Sequence, residues 1–176
     1  MIFQTTPLEG VFVIEVEPAE DERGFFARIY CQQEFAQRGL ISQFSQSSLS
    51  FNKRRGTVRG MHFQEAPSAE TKTVRVIRGA IFDVAIDVRP QSPTRGEWTS
   101  VELTQDNRKS LYIPEGFAHG FQTLSDDTEV LYQISSDYDA TLARGFRWND
   151  PAFGISWPLE ASVISPRDLS YADYER

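Results

Sequence analysis

Hydrophobic residues alternate with polar ones, or run in short unbroken stretches, along most of this chain. Gly, Pro, Asn, Asp and Ser punctuate the gaps. That pattern predicts strands. Residues 11–17 read as one strand, ended by Pro18, and 25–30 as another beyond a turn at 21–24. From residue 57 strand signals dominate, at 57–64, 71–77, 80–88, 98–103, 110–113, 121–124 and 129–135. Turn residues separate them at 78–79, 90–93, 105–107, 114–116 and 125–127. Residues 43–51, rich in Ser and Gln with spaced aromatics, read as extended with no obvious partner. The best internal helix is 34–40, with Gly39 near its end. The tail from Trp148 to Arg176 carries Pro151, Pro158 and Pro166, and is expected to wrap the strands before a short final helix. Many short strands and few helices predict an all-β chain folded as a closed or double-sheet structure. Without repeats or linkers, residues 1–176 are expected to form one domain.

Composition narrows the function. With 40% hydrophobic and 24% charged residues the chain is ordinary for a globular protein. Its 13 Phe, 6 Tyr and 3 Trp suit a rigid β core or a stacking pocket. A net charge of −7 argues against nucleic-acid or anionic-membrane partners. No apolar run is long enough to span a membrane, and no basic stretch precedes an apolar one at the start. A cytoplasmic protein is expected. Cys31 is the sole cysteine, so neither an internal disulfide nor a thiolate metal cluster can form.

The chemistry gathers around Arg59-Gly60-Met61-His62-Phe63-Gln64. Strand alternation would send Arg59, Met61 and Phe63 to one face and Gly60, His62 and Gln64 to the other. Gly60 leaves room beside His62 for a ligand or another backbone. His62 taken alone reads more simply as a hydrogen-bonded core histidine. The second and last histidine, His119, follows a Pro-x-Gly turn in a pattern similar to the second motif of the cupin superfamily, β-barrels of jelly-roll type. Metal-binding cupins add an H-x-H pair, but here that pair would be His62 and Gln64. Two histidines without thiolates make a poor transition-metal site, so no metal is expected.

Five motifs, in order across the whole chain, carry a more specific resemblance: Asp21-Glu-Arg-Gly-Phe-Phe26, Val58-Arg-Gly-Met-His-Phe-Gln64, Ile113-Pro-Glu-Gly-Phe-Ala-His-Gly-Phe121, Arg147-Trp-Asn-Asp-Pro151 and Ile155-Ser-Trp-Pro158. They resemble the dTDP-4-dehydrorhamnose 3,5-epimerase family. The resemblance implies a cupin-type double-sheet jelly-roll barrel with a few short helices. It also implies a homodimer that exchanges N-terminal strands, no metal or other cofactor, and a nucleotide-linked 4-keto-6-deoxyhexose as substrate. By the same resemblance His62 is the base, held by Asp168, Tyr132 the opposite-face acid, and Lys72 the cation beside the enolate oxygen. Arg23 and Arg59 would clamp the pyrophosphate, and Phe26 and Tyr138 would flank the base or sugar. Gln46, Ser48 and His119 complete the expected binding set. Each has a plainer reading: Asp168 as a helix cap, Tyr132 as a core tyrosine, Lys72 as a solvated strand lysine, Arg23 as a turn residue. The basic turn at Lys53, Arg54 and Arg55 reads as solvated, or as a steering patch for an anionic substrate.

The chemistry agrees with the resemblance. Protons at C3 and C5 flank the C4 ketone, so removing either gives an enolate, and inversion needs a base on one face and an acid on the other. The rival readings are a sugar 3,4-ketoisomerase and a non-catalytic sugar-nucleotide binder. A different base, such as CDP, is also open. Arg28, Ser47, Ser48 and Ala143 stand where dTDP-rhamnose members of the family commonly carry Glu, Asp, Asn and Glu.

Overall fold

The computed structural model describes residues 1–174, so Glu175 and Arg176, the end of the expected domain and tail, lie outside the described residues. In chain order the strands are β1 (Ile2–Thr5), β2 (Phe12–Glu15), β3 (Ala19–Asp21), β4 (Gly24–Phe26), β5 (Gln46–Asn52), β6 (Val58–Gln64) and β7 (Lys72–Arg78). They continue with β8 (Ala80–Asp87), β9 (Trp98–Thr104), β10 (Ser110–Ile113), β11 (Phe117–Thr123), β12 (Thr128–Ile134) and β13 (Ala143–Gly145). Helix α1 (Gln32–Ala36) precedes β5, and α2 (Pro166–Leu169) lies in the tail.

Two antiparallel sheets face one another. One runs β1-β2-β10-β7-β12-β5, the other β13-β6-β11-β8-β9, and β3 and β4 form a separate hairpin. This is the expected double-sheet jelly roll. Most of residues 43–51, left without a partner by sequence, falls in the edge strand β5, with Leu49 opposite Leu131 on β12. The 25–30 strand shrinks to β4, and β11 starts at Phe117, before the predicted 121. No helix among the described residues is long and apolar enough to cross a membrane.

Three apolar layers explain why these sequences form sheets. Val74, Val76, Leu111 and Val130 of the first sheet meet Ile81, Ala85, Leu103 and Phe121 of the second between the sheets. Outside the second sheet, Met61, Val84, Ile86 and Ala118 lie under Phe146, Phe153 and Trp157. The proline-rich tail thus covers the sheet as expected. Outside the first, Ile14 and Tyr112 lie under Phe35 of α1 and its aromatic neighbours. A β8 strand covered on both sides can therefore run nearly without interruption in apolar residues, and an inward carboxylate there, Asp83, is fully buried.

The predicted faces of β6 need one correction. Arg59 pairs with Phe121 and His62 with His119, so three residue steps on β6 match two on β11. That β-bulge adds one residue and turns Arg59 to the same side as His62, while Met61 faces the tail. Gly60 makes it possible with a φ of +125°. A Cβ there would lie 2.5 Å from Gly120 Cα, and one on Gly120 would lie 2.6 Å from Met61 Sδ. The space foreseen beside His62 is filled by another backbone.

Candidate active site

The bulge opens into a cavity of about 280 Å³ between the sheets. Arg59, His62, His119 and Phe121 line it from the five-stranded sheet, and Ser48, Ser50, Lys72, Tyr132 and Ile134 from the six-stranded sheet. His62 and Tyr132 thus stand on opposite walls.

His62 Nε2 lies 2.7 Å from Asp168 Oδ1. Asp168 reaches it because Ser165 caps α2, its hydroxyl accepting the Asp168 amide at 3.0 Å, and the other carboxylate oxygen accepts the Gly60 amide at 3.3 Å. The sequence's plainer reading of Asp168 as a cap therefore falls to Ser165. Burial pushes the Asp168 carboxyl up, but the His62 contact and the Gly60 and Ser165 hydrogen bonds outweigh it, and the net shift is downward. An ionised Asp168 accepts from Nε2–H, which leaves Nδ1 with its lone pair free. Tyr171 packs edge-on against the imidazole, with ring centroids 5.9 Å apart.

On the opposite wall, burial and then the Asp83 carboxylate push the Tyr132 phenol up, opposed by Arg59. Its ring meets His119 edge-on at 6.0 Å. His119 in turn forms a second, deeper pair, with Nε2 2.7 Å from Asp83 Oδ1. Burial pushes Asp83 up against the opposing pull of His119 and Lys72, and its second oxygen has no hydrogen-bond partner among the described residues. Sequence reasoning missed Asp83, although a carboxylate in the middle of the apolar run of β8 was the signal available. It also missed Asn52, whose Oδ1 accepts from Arg59 Nε at 2.7 Å and fixes the guanidinium beside the cavity.

The remaining expected residues divide. Gln46 donates to Asp137 at 3.2 Å, at the end of β5. Tyr138 accepts from Arg167 Nη1 at 3.2 Å, which ties its loop to α2. Gln64, where a metal-binding cupin would offer histidine, donates to the Ser68 and Asp137 carbonyls and accepts the Asp139 amide. Arg23 and Phe26 are not brought to this cavity. Arg23 pairs with Asp21 on the β3–β4 hairpin, and Phe26 is 80% exposed. Arg28 pairs with Glu34 at 3.2 Å, and Ala143 sits opposite Gln64 on β13. No three His, Cys, Asp or Glu among the described residues group as metal ligands.

A jelly roll with a carboxylate-bound histidine and a buried phenol on facing walls of one cavity is the architecture of a cupin-type enzyme. The profile of the dTDP-4-dehydrorhamnose 3,5-epimerase family matches residues 5–175, and the chain belongs to that family. It is 46% identical to the dTDP-4-dehydrorhamnose 3,5-epimerase of Methanothermobacter thermautotrophicus over 173 residues, 96% of this chain and 92% of that one. The crystal structure of the Bacillus anthracis str. Ames enzyme with TDP and PPi bound superposes with a TM-score of 0.95 at 36% identity, covering 98% of this chain and 99% of the other. That of the Legionella pneumophila enzyme in complex with dTDP-4-keto-L-rhamnose gives 0.92 at 33% identity, covering 98% and 92%.

Proposed function

We propose that this protein epimerises a dTDP-linked 4-keto-6-deoxyhexose in the cytoplasm, inverting the carbons that flank the ketone. The observation that carries the reading is a His62–Asp168 pair facing Tyr132 across one cavity, with Lys72 on its wall. His62 Nδ1 takes the proton from C3 or C5, and the electron pair moves into the C4 carbonyl as an enolate. Lys72 stands against the developing charge on that oxygen. Tyr132 returns a proton to the other face, and both side chains re-equilibrate with solvent. Arg59 takes the diphosphate. The ligands of the two solved relatives support a dTDP carrier. Incubation with dTDP-4-keto-6-deoxyglucose in deuterated buffer is expected to wash label into C3 and C5 with inversion, read by NMR. Binding without exchange would leave only a sugar-nucleotide binder, and movement of the carbonyl would indicate a ketoisomerase.

The same reading includes a homodimer. Arg23 and Phe26 lie outside their own cavity on an exposed hairpin, and Leu49, Phe51, Ile77, Phe25 and Ile29 leave apolar surface uncovered. A hairpin that enters the partner's cavity accounts for both. His62→Asn and Arg23→Ala subunits, each inactive alone, are then expected to recover about a quarter of wild-type activity when mixed and reassembled, since half the dimers carry one intact site. A monomer by sedimentation at micromolar concentration with full activity would exclude this arrangement.

A further inference from the structure

The chemistry above leaves unused an acidic side chain in contact with the cavity's lysine. Glu70 Oε1 lies 2.6 Å from Lys72 Nζ, and each side chain is only 11% exposed. The backbone between them is fixed. The Thr71 amide donates to Ser135 Oγ at 2.9 Å and its carbonyl accepts the Ser135 amide at 3.0 Å, just beyond the strand that carries Tyr132. Lys72 itself enters the cavity on a flexible four-carbon stem, which does not define where the ammonium stops. The carboxylates acting on it are Glu70, by contact, and Asp83, at longer range and already held by His119.

We propose that Glu70 is a positioning residue, which holds the Lys72 ammonium at the cavity wall where the enolate oxygen gains charge. The inference rests on the enolisation set out above. A carboxylate in contact cancels part of the cation's field, so it helps only if order outweighs that loss. Order wins because preorganised charge is what lowers such a barrier, and a misplacement of about 1 Å can cost about 10²-fold.

The test is a mutational cycle on the wild-type background. Glu70→Ala is expected to lower kcat about tenfold with KM changed less than about twofold, because the group acts on developing charge. Glu70→Gln, which keeps an acceptor oxygen, is expected to restore most of the rate. In a Lys72→Ala background, Glu70→Ala is expected to add nothing, since its effect runs through Lys72. An equal further loss in that background, or a lower Tm with unchanged kcat, would show that Glu70 serves only the fold. Should the wild-type protein exchange no label at C3 or C5, the epimerase reading fails on its own. The crystal structure of Glu70→Ala then decides this inference separately: Lys72 displaced from the cavity upholds it, and Lys72 unmoved overturns it.

Discussion

In the His62→Asn variant, deuterium wash-in at both C3 and C5 is expected to fall by about 10²–10⁴-fold, the span of a general base. Affinity for dTDP, measured by calorimetry, is expected to change little. The two results separate because the residues proposed to hold the diphosphate and those proposed to move protons occupy different parts of the wall. Asparagine is shorter than histidine and its amide does not reach the Nε2 position, but Asp168 still accepts the Gly60 amide, so the buried carboxylate is not left unpaired. What it cannot supply is the Nδ1 lone pair. His119, the other imidazole in the cavity, is expected not to substitute, because Asp83 holds it at a more buried position, edge-on to the ring of Tyr132. A loss below tenfold at either carbon would remove His62 as the base there. Equal loss of dTDP affinity would mean that the variant had disturbed the cavity and not its chemistry.

That His62 could be singled out at all reflects what a sequence carries. Strands with apolar runs were legible, because burial on two faces leaves few polar positions, as in β8. β1 and β13 were not, since these three- and four-residue strands bury no side chain fully and so carry no apolar run to mark them. The facing of Arg59 was read wrongly for a related reason. Alternation assumes one residue per register step, and the β6 bulge breaks that rule at Gly60, where only close contact with Gly120 shows why. Pairs between distant residues, such as His62 with Asp168, were visible only through family resemblance. Asp83 with His119 was invisible even so: strand order, which pairs β8 with β11, brings them together. Nothing in the sequence singles out Glu70; its contact with Lys72 depends on where the strand places both side chains.

Tyr132→Phe is expected to separate proton loss from inversion. Phenylalanine keeps the ring that packs edge-on against His119 and removes only the hydroxyl. His62 can still take a proton and return deuterium to the face it came from, so label is expected to enter with configuration retained. Inversion is expected to drop by about 10²–10⁴-fold at any carbon that Tyr132 serves. NMR reads both at once, label from the lost proton signal and configuration from the ring couplings. The direction of the Tyr132 shift adds a pH signature. Burial, then Asp83, raise the phenol's pKa against the smaller pull of Arg59, so the group keeps its proton to higher pH than a free phenol. A donor of raised pKa is lost only as pH climbs past that value, so wild-type inversion is expected to persist up to at least the ordinary phenol range near 10. The observable limit there is the stability of the fold and substrate. Unchanged inversion at both carbons in Tyr132→Phe would show that another group, or water, protonates the second face. If inversion fails at one carbon alone, Tyr132 serves that carbon and a different donor serves the other.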